Sequence, residues 1–304
     1  MKAFKSIIEF TQYFNTNEKC RKFLEEQRWG DEPACPHCGS INVKRFETDH
    51  KTFKCREREC RKKFTVTVGT IYENTKIPLT KWFLATYILS VHSKGISSLQ
   101  LATWLNIQQK SAWFLNHRIR EMLTDKAPEL LNDIVEVDET YVGGKVSNKH
   151  VSKRKALKGL DNKTMVLGAV QRQGKVKTKV IPQTNIENIQ KVISEFVEPN
   201  STMLTDESHA YNKVKLSYKH ETVNHRDKEY VRGYVHTNTI EGYWSILKRQ
   251  IYCIHHFVSP KHLQRYCNES SYRYNTRSLS QSDRFTDVVK RCNGRLTYKG
   301  LVNG

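Results

Sequence analysis

A chain of 304 residues, 38% apolar and 27% charged, reads as a soluble globular protein of two or three domains that can bury a core. Its 51 Lys and Arg against 31 Asp and Glu give a net charge of +20, a field suited to a polyanion, and nucleic acid is the leading partner. No apolar run approaches the roughly 18 residues that span a bilayer, and "MKAFKSIIEFTQYF" lacks a signal peptide's apolar segment, so the expectation is a cytoplasmic, DNA-associated chain without membrane contact.

Residues 1–32 carry a helical apolar pattern, with Phe10, Phe14, Phe23 and Leu24 before Trp29. Residues 33–70 open with "CPHCGS" and hold Cys35, Cys38, Cys55 and Cys60, spaced Cys-x2-Cys, sixteen residues, Cys-x4-Cys. Two thiolate knuckles brought together by a β-hairpin suit one structural Zn²⁺, with four protein ligands and no open position for catalysis. Gly39 lets the first knuckle turn, and His37 inside it reads as a bystander. Cys20, Cys253, Cys267 and Cys292 are scattered and are expected as small buried residues.

Residues 71–127 are expected to be helical. "PLTKWFLATYILSVHS" starts at Pro78, and "SSLQLATWLNIQQKSAWFLNHRIREML" gives two helices broken near Asn106, with Ser97 or Ser98 as a cap. That pair resembles a helix-turn-helix. Gln108, Gln109 and Lys110 at the start of its second helix, with Asn116 and Arg120 further on, are the side-chain types that read bases and phosphates. Two packed helices without DNA are equally compatible with this pattern.

From residue 128 to 304 strands and helices alternate. "DIVEVDETYV", "TMVLGAVQ" and "KVKTKVIP" read as strands, "IENIQKVISEFV" as an amphipathic helix and "STMLTDE" as a strand. A short helix around "SHAYNKV", a strand around "YKHETVNH" and a helix in "HTNTIEGYWSILKRQ" follow. That order is the one of a ribonuclease-H-like mixed sheet, so the expected class is α/β: a zinc ribbon and a small helical domain, then a ribonuclease-H-like domain.

Asp138 near the end of the first strand, Asp206 after the fourth and Glu241 on the late helix can converge at one edge of such a sheet. Three carboxylates suit two Mg²⁺ or Mn²⁺ ions acting on a phosphodiester. Glu136, Glu139 and Glu207 are rival acids, expected by strand alternation to point elsewhere or to lie beyond the strand end. For Glu241 a second reading stays open, since Asn238 followed by Glu241 matches a capping box. Residues 141–180 contain eleven Lys or Arg and one acid, Asp161. Within that run Lys153, Arg154 and Lys155 are candidates to meet a DNA backbone.

"DIVEVDETYVGGK", "MLTDESHAY", "HTNTIEGYWSILKRQ" and "SPKHLQRYCNESSYRYNTR" resemble the DDE transposases of bacterial insertion sequences. With "CPHCGS" and "FTVTVGTIYENTKIPLTKWFLATYIL", the resemblance narrows to the zinc-ribbon-bearing ISXO-like group, related to Merlin elements, and covers residues 8–280. It implies a catalytic and Mg²⁺-binding triad of Asp138, Asp206 and Glu241, with Lys248 and Arg249 on phosphates and Asn238 as a lesser alternative to the third acid. It further implies binding of terminal inverted repeats, strand cleavage and strand transfer, on element ends and target DNA, in a homodimer or larger synaptic complex. The Cys55–Cys60 gap departs from the family pattern. A non-catalytic DNA-binding regulator and a stand-alone nuclease are the competing readings.

Overall fold

A computed structural model describes residues 4–126, 129–144, 146–148, 150–154, 162–181, 186–206, 211, 218–223 and 231–303. The chain forms two compact units, residues 1–123 with 278–304 and residues 124–277.

The first unit starts with α1 (Ile7–Tyr13) and α2 (Asn17–Trp29), whose caps Ser6 and Thr16 accept from the amides of Glu9 and Lys19. Three short antiparallel strands follow, β1 (Val43–Arg45), β2 (Phe53–Cys55) and β3 (Lys63–Phe64). Then come α3 (Leu79–Val91), α4 (Ser98–Leu105) and α5 (Gln109–Met122). Ser97 caps α4, and Asn106 ends it in the left-handed conformation at φ 47°, which makes the tight turn into α5.

The second unit opens with β4 (Ile134–Val142), α6 (Val151–Arg154), β5 (Thr164–Gln171) and β6 (Val176–Ile181). It continues through α7 (Ile186–Phe196), β7 (Thr202–Thr205), β8 (Lys219–Thr222), α8 (Asn238–Arg249) and α9 (Pro260–Asn275). The sheet order is β6-β5-β4-β7-β8. β4, β5 and β6 are antiparallel, whereas β7 and β8 run parallel to β4. This is the ribonuclease-H-like arrangement that the element order led us to expect. The sheet has two apolar faces. Val135, Val137, Leu167 and Ala169 pack with Ile189, Val192 and Ile193 of α7. Val166, Val170 and Val176 pack with Ile240, Tyr243, Trp244 and Leu247 of α8 and Leu263 of α9. At roughly 1.5–3 kcal/mol for each large apolar side chain buried, this second face anchors α8 firmly on the sheet. The expected short helix around "SHAYNKV" lies outside the described residues except for Tyr211, which is buried.

The chain then returns to the first unit through α10 (Gln281–Lys290) and α11 (Tyr298–Asn303). The sequence groups these residues with the last domain, but Phe285 stacks on Phe23 at 5.8 Å and meets Phe10 edge-on at 4.9 Å. Ile71 N also donates to Cys292 O at 2.8 Å. None of the described helices is long and apolar enough to cross a membrane.

Candidate active site

Side chains of β4 alternate, so Val135 and Val137 enter the core under α7 while Glu136 and Asp138 face α8. Across the ladder Asp138 is paired with Gly168 of β5. A Cβ on Gly168 would stand 2.5 Å from the Trp244 ring, so glycine is what lets the indole lie against β5. Trp244 Nε1 donates to Asp138 Oδ2 at 2.9 Å.

Parallel pairing of β4 with β7 sets Val135 against Met203 and Glu136 against Leu204. Two residues beyond the last of these pairs come Asp138 and, just after β7, Asp206, whose charge acts on Asp138. Glu241 enters from the first turn of α8, where it accepts from Thr237 Oγ1 at 3.0 Å. Asp138, Glu139, Asp206, Glu241, Trp244 and Lys248 all line one cleft of ≈ 400 Å³. Burial pushes the Asp138 carboxyl up to about 7; the Glu139 and Asp206 charges add to this, and the Trp244 N–H opposes it. Glu139 is raised as well, first by burial, against the lowering hydrogen bond from Tyr211. Crowded, desolvated carboxylates of this kind form a donor set for a hard cation.

Two of the rival acids correct the expectation: Glu139 lines the cleft with Asp138, and Glu136 follows the strand alternation onto the Asp138 side rather than away from it. Residues i and i+2 share a strand face, so Glu136 points the same way as Asp138. It does not join the cleft because α8 claims it. The buried carboxylate accepts from Thr239 N at 2.8 Å, Ile240 N at 3.0 Å and Thr239 Oγ1 at 2.8 Å. An anion there satisfies the free amides of the helix N-terminus and complements its dipole. The Asn238–Glu241 capping box therefore does not form: Thr237 occupies the cap position, its hydroxyl accepting from none of the helix amides, and Asn238 is exposed and off the cleft. Arg172 Nε completes the arrangement with a 2.8 Å ion pair to Glu136, while its Nη2 reaches His236 O at 3.1 Å. Neither role has a local sequence signal, since the helix amides are 103 residues from Glu136.

The basic candidates distribute unevenly. Lys248 is in the cleft, whereas exposed Arg249 donates Nε to Ser245 O of its own helix at 3.1 Å. Arg154 is exposed on α6; the Lys153 side chain and Lys155 lie outside the described residues. In the first unit, Gln109 Nε2 donates to Ser98 Oγ at 2.9 Å and Lys110 Nζ sits 5.1 Å from the Tyr298 ring, both on exposed residues. Asn116 and Arg120, expected to reach DNA, are each only 1% exposed and belong to the core of that unit.

The four cysteines converge as their spacing implies. Their sulfurs all lie within 4.8 Å of one another, with Cys35–Cys60 at 3.8 Å and Cys38–Cys55 at 3.6 Å. A tetrahedron built on Zn–S bonds of about 2.3 Å has edges of roughly 3.8 Å, so the cluster fits structural zinc. The longer Cys55–Cys60 gap is absorbed by a turn in which Cys60 N donates to Glu57 O and Arg61 takes φ 50°. His37 stays out of the cluster. Of the remaining cysteines, Cys20, Cys267 and Cys292 are buried, but Cys253 is exposed. Among the described residues no trio of acids draws its oxygens as close as these sulfurs.

Residues 130–275 match the ISXO2-like transposase domain, and residues 15–63 match the transposase zinc-ribbon domain. The chain is 25% identical over 265 residues to an uncharacterized protein in transposable element ISH50 of Halobacterium salinarum, covering 83% of this chain and 89% of that one. It is 26% identical over 118 residues to an uncharacterized transposase-like protein of Haemophilus influenzae, 38% of this chain and 94% of the relative. Among solved structures, a chain of the simian T-cell lymphotropic virus intasome in complex with PP2A regulatory subunit B56 gamma aligns at 14% identity. Its TM-score is 0.29, over 56% of this chain and 63% of that chain.

Proposed function

We propose that this chain, which belongs to the ISXO2-like transposase family, cuts and joins DNA at the ends of an insertion sequence. Its working site would be the cleft of Asp138, Asp206 and Glu241. The observation that carries the reading is the meeting of these three acids with Lys248 in one cleft, although they come from β4, the residue after β7 and α8. Mg²⁺ or Mn²⁺ ions held by the three carboxylates would supply Lewis-acid activation of the attacking oxygen and charge neutralisation on the leaving one. Burial first, and neighbouring acid charge second, raise the carboxyls of Asp138 and Glu139, and a bound cation would offset both.

The protein's own groups do the positioning. Trp244 holds Asp138, the Glu136 cap holds the first turn of α8 and with it Glu241, and Lys248 binds a backbone phosphate. In the first step water breaks a phosphodiester at the element end, leaving a 3′-hydroxyl and a 5′-phosphate. In the second, that 3′-hydroxyl attacks a phosphodiester of the target, forming one bond and releasing a target 3′-hydroxyl. No covalent bond to the protein is required. Terminal inverted repeats are the specific DNA, engaged by a dimer or a larger synaptic assembly.

Glu241→Gln tests the reading. Gln keeps the shape and still accepts from Thr237, so melting temperature and duplex binding stay unchanged. Metal-dependent nicking of a terminal-repeat duplex falls by at least about 100-fold, the scale of losing a group that acts in the transition state. Near-normal nicking would return Glu241 to a purely structural part of α8.

A further inference from the structure

Each strand of the zinc ribbon has one outward position, and each is a lysine. β1 alternates half-buried Val43, exposed Lys44, half-buried Arg45; β2 alternates buried Phe53, exposed Lys54, buried Cys55; β3 sets exposed Lys63 before buried Phe64. The register places Lys44 directly opposite Lys54, and Lys54 directly opposite Lys63. Three ammonium groups therefore form one row across the sheet, with strands about 4.8 Å apart. Like charges directly opposite one another destabilise an antiparallel pair, so folding gains nothing from this row.

Around the row the surface stays basic. Lys44, Lys54, Arg56 and Arg61 line a hollow of ≈ 370 Å³ together with Arg45, Phe46 and a single acid, Glu47. Glu47 approaches Lys44 at 3.6 Å, and Arg45 is turned inward to Glu25 at 2.7 Å. Lys63 Nζ stands 4.9 Å from the ring of Phe46, which itself lines the hollow.

We infer that this lysine row is a docking surface for the phosphate backbone of double-stranded DNA, a contact separate from the acidic cleft. A duplex offers about one negative charge per 1.7 Å of axis and releases condensed counterions when lysines replace them, which offsets the repulsion inside the row. Such contacts hold and orient DNA without reading sequence. The zinc-bearing turns fix the register and therefore the spacing of the row.

The test uses the full-length, zinc-loaded protein and a short duplex of arbitrary sequence, titrated across a sodium chloride series without added magnesium. The absence of magnesium separates this surface from the reaction in the cleft, so a failure of one reading leaves the other intact. Changing Lys44, Lys54 and Lys63 together to Gln lowers the slope of log affinity against log salt by about 2.7. It also weakens binding about 500-fold near 0.1 M salt, by the same counterion relation taken from a 1 M reference. Lys54→Glu alone places an acid between two lysines. It raises the melting temperature of the ribbon and still weakens the duplex complex, with zinc content unchanged. Unchanged slope and affinity in the Gln variant, or wild-type duplex binding by zinc-replete Lys54→Glu, overturns the inference. A loss confined to single-stranded RNA, with duplex DNA binding intact, also overturns it.

Discussion

The zinc ribbon and the acidic cleft gather their ligands by opposite routes. In the ribbon the four sulfurs come from two adjacent turns, at Cys35–Cys38 and Cys55–Cys60. Two of them also sit in the small core, Cys35 and Cys55 buried beside Phe53 and Phe64, with Cys60 packed against it and Cys38 exposed. Around the cleft the acids stand at the margin of a large core that would exist without them, on β4, after β7 and on α8. Soft sulfurs so placed would close around one ion, and in small folds of this kind such closure supplies the folding energy. The carboxylates repel one another and are kept in place by a sheet and a helix. A structural metal site can thus be tight because little else shapes it. A reactive site can stand open because everything around it is already built.

Three experiments would break or sharpen this contrast, and the largest effect belongs to the ribbon. Cys35→Ser should abolish zinc retention and unfold residues 33–70, since structural zinc supplies about 10–16 kcal/mol in comparable small folds. Zinc content and proteolysis of that segment are the measurements. Stoichiometric zinc with an intact ribbon would mean that three sulfurs suffice.

Next comes Glu136, whose loss attacks the scaffold of the cleft rather than its acids. Glu136→Gln turns an amide group toward the Thr239 and Ile240 N–H groups and leaves Arg172 without its buried partner charge. The cost should be about 3 kcal/mol in the second unit. Chemical denaturation would read it, and calorimetry should show weaker divalent-cation binding as the first turn of α8 frays. Unchanged cation binding would show that Glu241 does not depend on that cap.

The smallest effect is expected from Gly168→Ala. One methyl group meets the Trp244 ring at 2.5 Å and must push it off β5, costing about 1–3 kcal/mol. Tryptophan emission should shift as the indole leaves Asp138. An unshifted spectrum would mean that the sheet, not the indole, gives way.

Much of this was legible in the sequence, for reasons that separate local from remote information. Alternation in "DIVEVDETYV" and helical spacing in "IENIQKVISEFV" report which side faces a core, so the order of elements, and with it the sheet, could be read. Paired cysteine spacing worked for the same reason. Glu136 was not legible, because a capping motif is a local pattern and this helix is capped from a strand 103 residues away. Asn116 and Arg120 were misplaced because polarity suggests an outward face, whereas α5 is covered on nearly all sides. The lysine row needed strand register, which three strands of two or three residues do not announce.

The return of α10 to the first unit sets an order of events during synthesis. Phe285 is fully buried among Phe10, Phe14, Phe23 and Phe83, yet the ribosome makes it after all of residues 124–277. Until it emerges, the aromatic cluster of the nascent N-terminal helices lacks its inner ring and presents greasy surface to chaperones. A polypeptide released early would carry the ribbon but never a finished helical unit. Completion of the first unit therefore waits on translation of the second, and only chains that already contain the acidic cleft mature into the full protein.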